Sequence, residues 1–311
     1  MGFAGTKVLI GPSSFGAVDD SPFRLLVESG CTVIGNPYAR KLTEDELIAL
    51  LADGVSGLIA GVESLDRTVL EQSDLRVISR CGAGLSNVDL EAAEEFGIQG
   101  FTTPDAPTTA VAELTLGALL SLLRSLPAMD RRVRRREWKK TVGRQLNGQA
   151  VAVIGYGRIG RNVGRLLTAF GARVMAVDPA YGGEVDGVPM VSLNEAISSA
   201  DIITLHCSGE EEILGEQEFS SMKDGVYVLN AARGSLIDED ALNQALESGK
   251  VRGAWMDAFL IEPYEGPLLN QKRVLLTPHA GSYTRECRLS MESEAVENLF
   301  TGLRRLEEGV T

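Results

Sequence analysis

The stretch VAVIGYGRIGRNVG, residues 151 to 164, constrains the fold of this chain more than any other. An apolar run ends at Gly155, and a helical pattern opens in the turn that carries Gly155, Gly157 and Gly160 as GxGxxG. The spacing meets three needs: a tight turn at Gly155, close approach of backbone to a pyrophosphate at Gly157, and close helix–strand packing at Gly160. Arg158 and Ile159 open the helix. Asp178 ends the next apolar run, RVMAVD, 18 residues beyond Gly160, where a carboxylate can accept from adenosine ribose hydroxyls. Such an acid repels a 2′-phosphate, which Arg158 alone does not reverse, so the pattern predicts a doubly wound parallel domain that takes NAD rather than NADP.

Alternation extends in both directions from this motif. Upstream, KVLIG, CTVIGN, SGLIAG, LRVISRCG and IQGF are short apolar runs separated by helical patterns, which predicts a first parallel sheet. Thr43 and Glu46 have capping-box spacing at the start of one of these helices. PTTAVAELTLGALLSLLRSLP carries Val111, Leu114, Ala118, Leu119 and Leu122 at helical spacing, which predicts a long buried linker helix. Downstream, ARVMAVD, DIITLHC, GVYVLNAA, VRGAWMDAF and RVLLTPH continue a second doubly wound sheet. From Thr284 to Glu308 the pattern is an amphipathic helix, with Leu289, Met291, Ala295, Val296, Leu299, Phe300 and Leu303 apolar. It could return to either sheet.

A chain of 311 residues that is 44% hydrophobic can bury a substantial core, and its length suggests two domains. Its net charge of -13 argues against nucleic acid or an anionic membrane as partner. RRVRRREWKK, residues 131 to 140, is the local exception; a solvated helix face, a subunit contact or an attraction for cofactor phosphates competes there with a nucleic-acid patch. Four scattered cysteines and two histidines offer no metal-binding spacing and fit a reducing cytoplasm. No apolar run reaches the roughly 20 residues of a membrane span. MGFAGT satisfies a loose acylation pattern, but the strand KVLIG begins directly after it.

Three polar residues stand just after apolar runs of the second series: Arg233 in NAARGSLID, Glu262 in DAFLIEPYEG, and His279, one of the two histidines, in TPHAG. Ligands of open α/β sheets bind at the carboxyl ends of the strands. Arginine there can grip a carboxylate through two parallel hydrogen bonds, and histidine is the side chain suited to proton exchange near neutral pH. Singly each also reads as a surface ion pair, a solvated acid or a structural histidine. Together, beside a dinucleotide turn, they point to a nicotinamide enzyme.

Through RCGAGLSNVD, AVAELTLG, VIGYGRIG, LNAARGSLID, MDAFLIEP and TPHAGSYT, in that order, the chain resembles the D-isomer-specific 2-hydroxyacid dehydrogenases, most of all their phosphoglycerate dehydrogenase branch. The resemblance implies a flavodoxin-like substrate domain formed by residues 1–100 and a C-terminal helix at 286–311, with a Rossmann cofactor domain inserted at 101–285. Substrate would lie in the cleft between the two. By motif position Arg233 would bind the substrate carboxylate and carbonyl, His279 would be the acid/base, and Glu262 would orient His279 and favour its charged form. The backbone at Ala83 and Gly84 would donate to the substrate carboxylate, with Arg80 near a substrate phosphate. Asp257 would hold the nicotinamide carboxamide, while His206, Cys207 and Ala231 would line the cofactor. The implied substrate is a small 2-hydroxy or 2-oxo acid, and the implied assembly is a homodimer.

Departures from the family pattern bear on substrate. GAGLSN has Ser86 where relatives carry an acid, and Gly61 stands where phosphoglycerate enzymes often have a second arginine. 3-Phosphoglycerate, glyoxylate, hydroxypyruvate and sugar-derived acids therefore compete as substrates. A formate-type reaction is disfavoured because Glu262 stands where such relatives usually carry Gln. No regulatory domain is expected after the C-terminal helix, hence no serine feedback. The reading from a different class is a non-catalytic, NAD-sensing corepressor-like protein, which turnover of 2-hydroxy acids separates from an enzyme.

Overall fold

A computed structural model describes residues 2–85 and 87–308; Ser86 lies outside the described residues, so its place in the GAGLSN loop is not assigned. The chain divides into two compact units, residues 1–107 with 283–311, and residues 108–282. Those limits differ by a few residues from the sequence boundaries at 100 and 285.

The first unit contains a five-stranded parallel sheet: β1 (Lys7–Ile10), β2 (Thr32–Gly35), β3 (Val55–Ala60), β4 (Val77–Arg80) and β5 (Gln99–Phe101). Their order is β2-β1-β3-β4-β5, the flavodoxin-like winding. α1 (Ser21–Glu28), α2 (Glu44–Leu51), α3 (Arg67–Glu71) and α4 (Leu90–Glu95) connect the strands. The capping box forms as expected, with Thr43 Oγ1 accepting from the Glu46 N–H and Glu46 Oε2 accepting from the Thr43 N–H.

α5 (Pro107–Arg124) lies in the second unit except for Pro107, its first residue. It is shorter and less buried than its sequence suggests: Val111, Ala118 and Leu119 are buried, but Leu114 and Leu122 are only half-buried. Ser125 takes a left-handed φ of 52°, and the chain bends by 62° into α6 (Leu126–Arg134). Pro127 explains the break: it has no N–H to donate and favours the first turn of a new helix. No single helix among the described residues is long and apolar enough to cross a membrane.

The second unit begins its sheet with β6 (Ala150–Ile154), followed by α7 (Arg158–Ala169) and β7 (Arg173–Val177). A two-stranded antiparallel ribbon of β8 (Glu184–Val185) and β9 (Val188–Pro189) follows, then α8 (Leu193–Ser199), β10 (Ile202–Leu205), α9 (Glu216–Ser221) and β11 (Val226–Asn230). α10 (Glu239–Ser248), β12 (Val251–Met256) and β13 (Val274–Leu276) complete it. The parallel order is β13-β12-β11-β10-β6-β7. Where a Rossmann sheet carries another edge strand beyond β7, this chain makes a single bridge, Ala176 to Met190. Winding reverses between β6 and β10, and such a switch point opens a crevice at the carboxyl ends of the strands.

α11 (Arg285–Glu307) belongs to the first unit and covers one face of its sheet. Leu299 meets Gly57 on β3, while Gly302 lies against Val77 on β4. Its expected apolar stripe is buried except for half-buried Leu289, but Arg288 and Glu292 are buried as well, as an ion pair one turn apart at 2.5 Å.

Candidate active site

The glycine turn after β6 has the shape a dinucleotide requires. Gly155 has a φ of 88°, and a Cβ there would overlap the backbone of His206 and Cys207 at the end of β10. A Cβ at Gly160 would overlap the Gly155 carbonyl oxygen, so helix and turn touch directly. Gly157 differs: a Cβ there would meet nothing within 4 Å, and as N-cap of the 12-residue α7 it puts no side chain over the first-turn amides. Amides open at a helix N-terminus bind anions, so the turn fits a pyrophosphate. Arg158 and Ile159 follow at the mouth of α7, exposed and half-buried respectively.

Asp178 follows β7 immediately. Oδ2 accepts from the Tyr156 N–H at 2.8 Å and Oδ1 from the Ala180 N–H at 2.9 Å. These bonds fix the carboxylate while each oxygen keeps capacity for a further donor such as a ribose hydroxyl. Across the switch point, His206 Nε2 pairs with Thr204 Oγ1 at 2.8 Å and its Nδ1 is buried without a partner. Burial pushes the His206 imidazole down to about 3. Burial also raises the Cys207 thiol above its ordinary range, which disfavours its thiolate. These residues fit the adenosine, pyrophosphate and wall contacts of NAD.

Arg233, Glu262 and His279 follow β11, β12 and β13, three adjacent strands of one parallel sheet, so all three sit at its carboxyl edge. Asn230, wholly buried at the end of β11, shapes the first loop: its Nδ2 donates to the Arg233 carbonyl and its Oδ1 accepts from the Ala232 N–H. Ala231 lies half-buried between them. A Cβ at Gly234 would overlap the backbone of Phe259 and Leu260, so the Arg233 loop rests directly on the loop that carries Glu262. Glu262 Oε1 accepts from the Phe259 N–H at 3.1 Å, which turns its carboxylate back over that loop.

His279 meets it there, with Nδ1 at 3.0 Å from Oε1 and 3.1 Å from Oε2. A carboxylate partner makes Nδ1 the N–H donor and leaves Nε2 as the nitrogen that can exchange a proton. His279 occupies the left-handed region with φ of 50°, a conformation its surroundings must enforce. Asp257 supplies that enforcement. It is 2% exposed, its Oδ1 accepts from Thr277 Oγ1 at 2.5 Å and from the Ala280 N–H at 2.9 Å, and its Oδ2 accepts from the Gly281 N–H at 2.9 Å. Trp255 Nε1 in turn donates to Thr277 Oγ1 at 2.9 Å.

Asp257 thus brackets His279 from both sides in sequence, a role the sequence does not suggest beside its expected contact with the nicotinamide. Asn230, Thr277 and Trp255 escape a reading of motifs as well. Their signal is faint: a polar residue closing the apolar run VYVLN, and a threonine and a tryptophan placed to reach one aspartate.

In the first unit, Arg80 ends β4 and its guanidinium turns inward. Nε donates to the Gly61 carbonyl at 3.1 Å and one terminal nitrogen donates to the Gly84 carbonyl. Asn87 Nδ2 donates to the Glu63 carbonyl at 2.6 Å and the Leu65 N–H to the Asn87 carbonyl at 2.8 Å, so several hydrogen bonds tie the loops after β3 and β4 together. Ala83 is exposed at the tip of the second loop. Among the described residues, no group of three or more His, Cys, Asp and Glu could hold a metal ion.

Residues 116–281 match the D-isomer specific 2-hydroxyacid dehydrogenase NAD binding domain. The chain is 38% identical over 277 residues to the D-3-phosphoglycerate dehydrogenase of Methanocaldococcus jannaschii, an alignment covering 86% of this chain and 53% of that protein. It is 34% identical over 272 residues to the hydroxypyruvate reductase of Thermotoga maritima, covering 84% of this chain and 89% of that one. The chain spans about half the length of the phosphoglycerate dehydrogenases it matches. Among solved structures, a glyoxylate reductase from Paecilomyes thermophila superposes with a TM-score of 0.86 at 30% identity, over 96% of each chain. Half of the sequence in one domain match, nearly full-length similarity to a shorter relative and a shared two-sheet architecture agree: the chain belongs to the D-isomer specific 2-hydroxyacid dehydrogenase family.

Proposed function

We propose that this protein is an NAD-dependent oxidoreductase that interconverts small D-2-hydroxy acids and 2-oxo acids. The observation that carries the reading is the His279–Glu262 pair, held at the same sheet edge as Arg233 and beyond a glycine turn shaped for a dinucleotide. When bound, NAD would supply the hydride acceptor for oxidation of the 2-hydroxy acid, and its reduced form the hydride donor for the reverse reaction. The first-turn amides of α7 would hold the pyrophosphate and Asp178 the ribose hydroxyls, with His206, Cys207 and Ala231 lining the cofactor.

Arg233 grips the substrate carboxylate and stabilises the negative charge that develops on the carbonyl oxygen as C2 is reduced. Protonated His279 delivers a proton from Nε2 to that oxygen. In oxidation neutral His279 removes the hydroxyl proton instead. Glu262 accepts from Nδ1–H and leaves Nε2 as the nitrogen that serves the reaction. Asp257 anchors the loop that presents His279, and the Ala83 and Gly84 amides add donors for the substrate carboxylate. Hydroxypyruvate, glyoxylate and 3-phosphoglycerate are the substrates that the relatives' names bring into consideration.

We place the enzyme in the cytoplasm as a homodimer without nucleic-acid or membrane partners. Trp138 and Val142, 87% and 90% exposed in the segment after α6, support a subunit contact there. The net charge of -13 supports the exclusion of polyanions. NADH oxidation measured against a panel of 2-oxo acids tests the activity. A non-catalytic NAD-binding protein would oxidise NADH with none of them.

A further inference from the structure

The loop that carries Glu262 after β12 is open to solvent along its middle. Leu260 and Ile261 are 71% and 73% exposed, and Glu262 and Pro263 are exposed beside them. The two ends of this segment are held together instead. Phe259 and Tyr264 are half-buried and stack on one another, with ring centroids 4.3 Å apart and planes 27° from parallel. Both rings pack against the core of the second unit, which includes Leu236, Ile237 and Leu268. Offset stacking of two aromatic rings adds attraction beyond the area that they bury.

Tyr264 is anchored from further along the chain as well. A Cβ at Gly266 would overlap its ring, so the ring lies directly on that backbone. Its Oη accepts from the N–H of Leu268 at 3.2 Å, and Leu268 is wholly buried in a 3-10 turn over Pro267–Asn270. Burial raises the Tyr264 hydroxyl above its ordinary range, and the Glu239 carboxylate at the start of α10 adds to the rise, so the group stays a neutral phenol. Phe259, the other ring of the stack, is where the acid is held. Its N–H donates to Glu262 Oε1 at 3.1 Å, the same oxygen that lies 3.0 Å from His279 Nδ1. The Arg233 loop rests on the Phe259 backbone through Gly234. All of these residues belong to the second unit.

We propose that Tyr264 is a positioning residue of the redox step: by stacking on Phe259 it keeps the Phe259 amide where Glu262 can accept from it, and through Glu262 it holds His279 for proton exchange. The proposal rests on the 2-oxo acid reading above. Without the stack the exposed segment 260–263 is free to swing at its base, and the Glu262 carboxylate moves with it. Displacements of about 1 Å far from the reacting atoms are enough to slow a reaction severely. A ring that only filled space would instead affect stability and leave the Glu262–His279 pair as it is.

The test is NADH oxidation by a 2-oxo acid that the parent reduces, with Tyr264→Leu, Tyr264→Phe, Glu262→Ala and the double variant of Tyr264→Leu with Glu262→Ala. Tyr264→Leu keeps apolar bulk but loses the stack, and is expected to lower kcat by about tenfold with the KM for NADH nearly unchanged. Tyr264→Phe keeps the ring and is expected to stay within about threefold of the parent. Glu262→Ala leaves no carboxylate to position, so adding Tyr264→Leu to it is expected to change kcat by less than about twofold. Phe259→Leu removes the same stack from its other side and carries the same expectations if Tyr264→Leu does not fold. Parent-like kcat in Tyr264→Leu, a loss in Tyr264→Phe as large as with leucine, or full multiplication of the two losses in the double variant would each overturn the proposal while leaving the 2-oxo acid reading intact. A parent that reduces no 2-oxo acid would contradict that reading, and the proposal would fall with it.

Discussion

Nδ1 of His279 lies 3.0 Å from one Glu262 oxygen and 3.1 Å from the other, so one acid holds one face of the imidazole and leaves Nε2 to the reaction. If Glu262 works only through His279, the two residues form a unit and their substitutions do not add. Glu262→Gln is expected to lower kcat by roughly 10- to 100-fold. The double variant with His279→Gln is expected to be no slower than His279→Gln alone. Additive losses in kcat would show that Glu262 acts on substrate by a separate route.

Thr277 carries a prediction that motif reading alone does not raise. It donates to Asp257 and accepts from Trp255, so Thr277→Val removes both bonds at the base of the His279 loop. The loss is expected to cost about 1–3 kcal/mol in urea unfolding and to lower kcat more than it raises the KM for NADH. Thr277→Ser, which keeps the hydroxyl, is expected to restore most of both. Equal damage by serine and valine would assign the effect to the threonine methyl.

Cofactor choice rests on Asp178. Its carboxylate is fixed by the Tyr156 amide after β6 and the Ala180 amide after β7, and the proposed function gives it the adenosine ribose hydroxyls. The parent is expected to use NADH clearly better than NADPH in kcat/KM, and Asp178→Ala to narrow the gap. Equal use of both cofactors by the parent would contradict this assignment.

Much of this site is legible in the sequence because its parts are tied to strand ends. Gly155, Asp178, Arg233 and His279 each follow an apolar run, and a parallel sheet places all such ends on one edge. The break at Ser125 and the buried Arg288–Glu292 pair are not legible in the same way. Pro127 near the end of the pattern reads as a stop, yet whether the chain ends or bends into α6 depends on tertiary packing. Arg288 and Glu292 have the spacing of an ordinary surface pair, and their bonds to Ser14 and Gly16, some 270 residues away in sequence, appear only in three dimensions. Asp257 shows the limit from another side, since its type and place suggest a ligand contact while its three loop donors appear only in three dimensions.

His206 makes stability depend on acid pH. An unfolded histidine titrates near 6.5, whereas burial holds this one at about 3 in the folded protein. Between those values the unfolded chain binds more protons, so the contribution is complete above about pH 6.5 and is lost progressively as pH falls toward 3. Urea midpoints at pH 7.5 and 4.5 for the parent and His206→Gln measure it. The variant is expected to lose less stability than the parent over that interval; an equal loss would show that His206 stays accessible to protons.

The central claim is that His279 exchanges the proton in the redox step. Its most direct measurement is single-turnover oxidation of NADH by a 2-oxo acid the parent reduces, with His279→Gln beside it and NADH affinity determined separately by fluorescence. Loss of a positioned proton donor predicts a rate lower by roughly 10²–10⁴-fold with folding and NADH affinity nearly unchanged. A variant that binds NADH and turns over at close to the parent rate would make His279 a loop residue and contradict the mechanism.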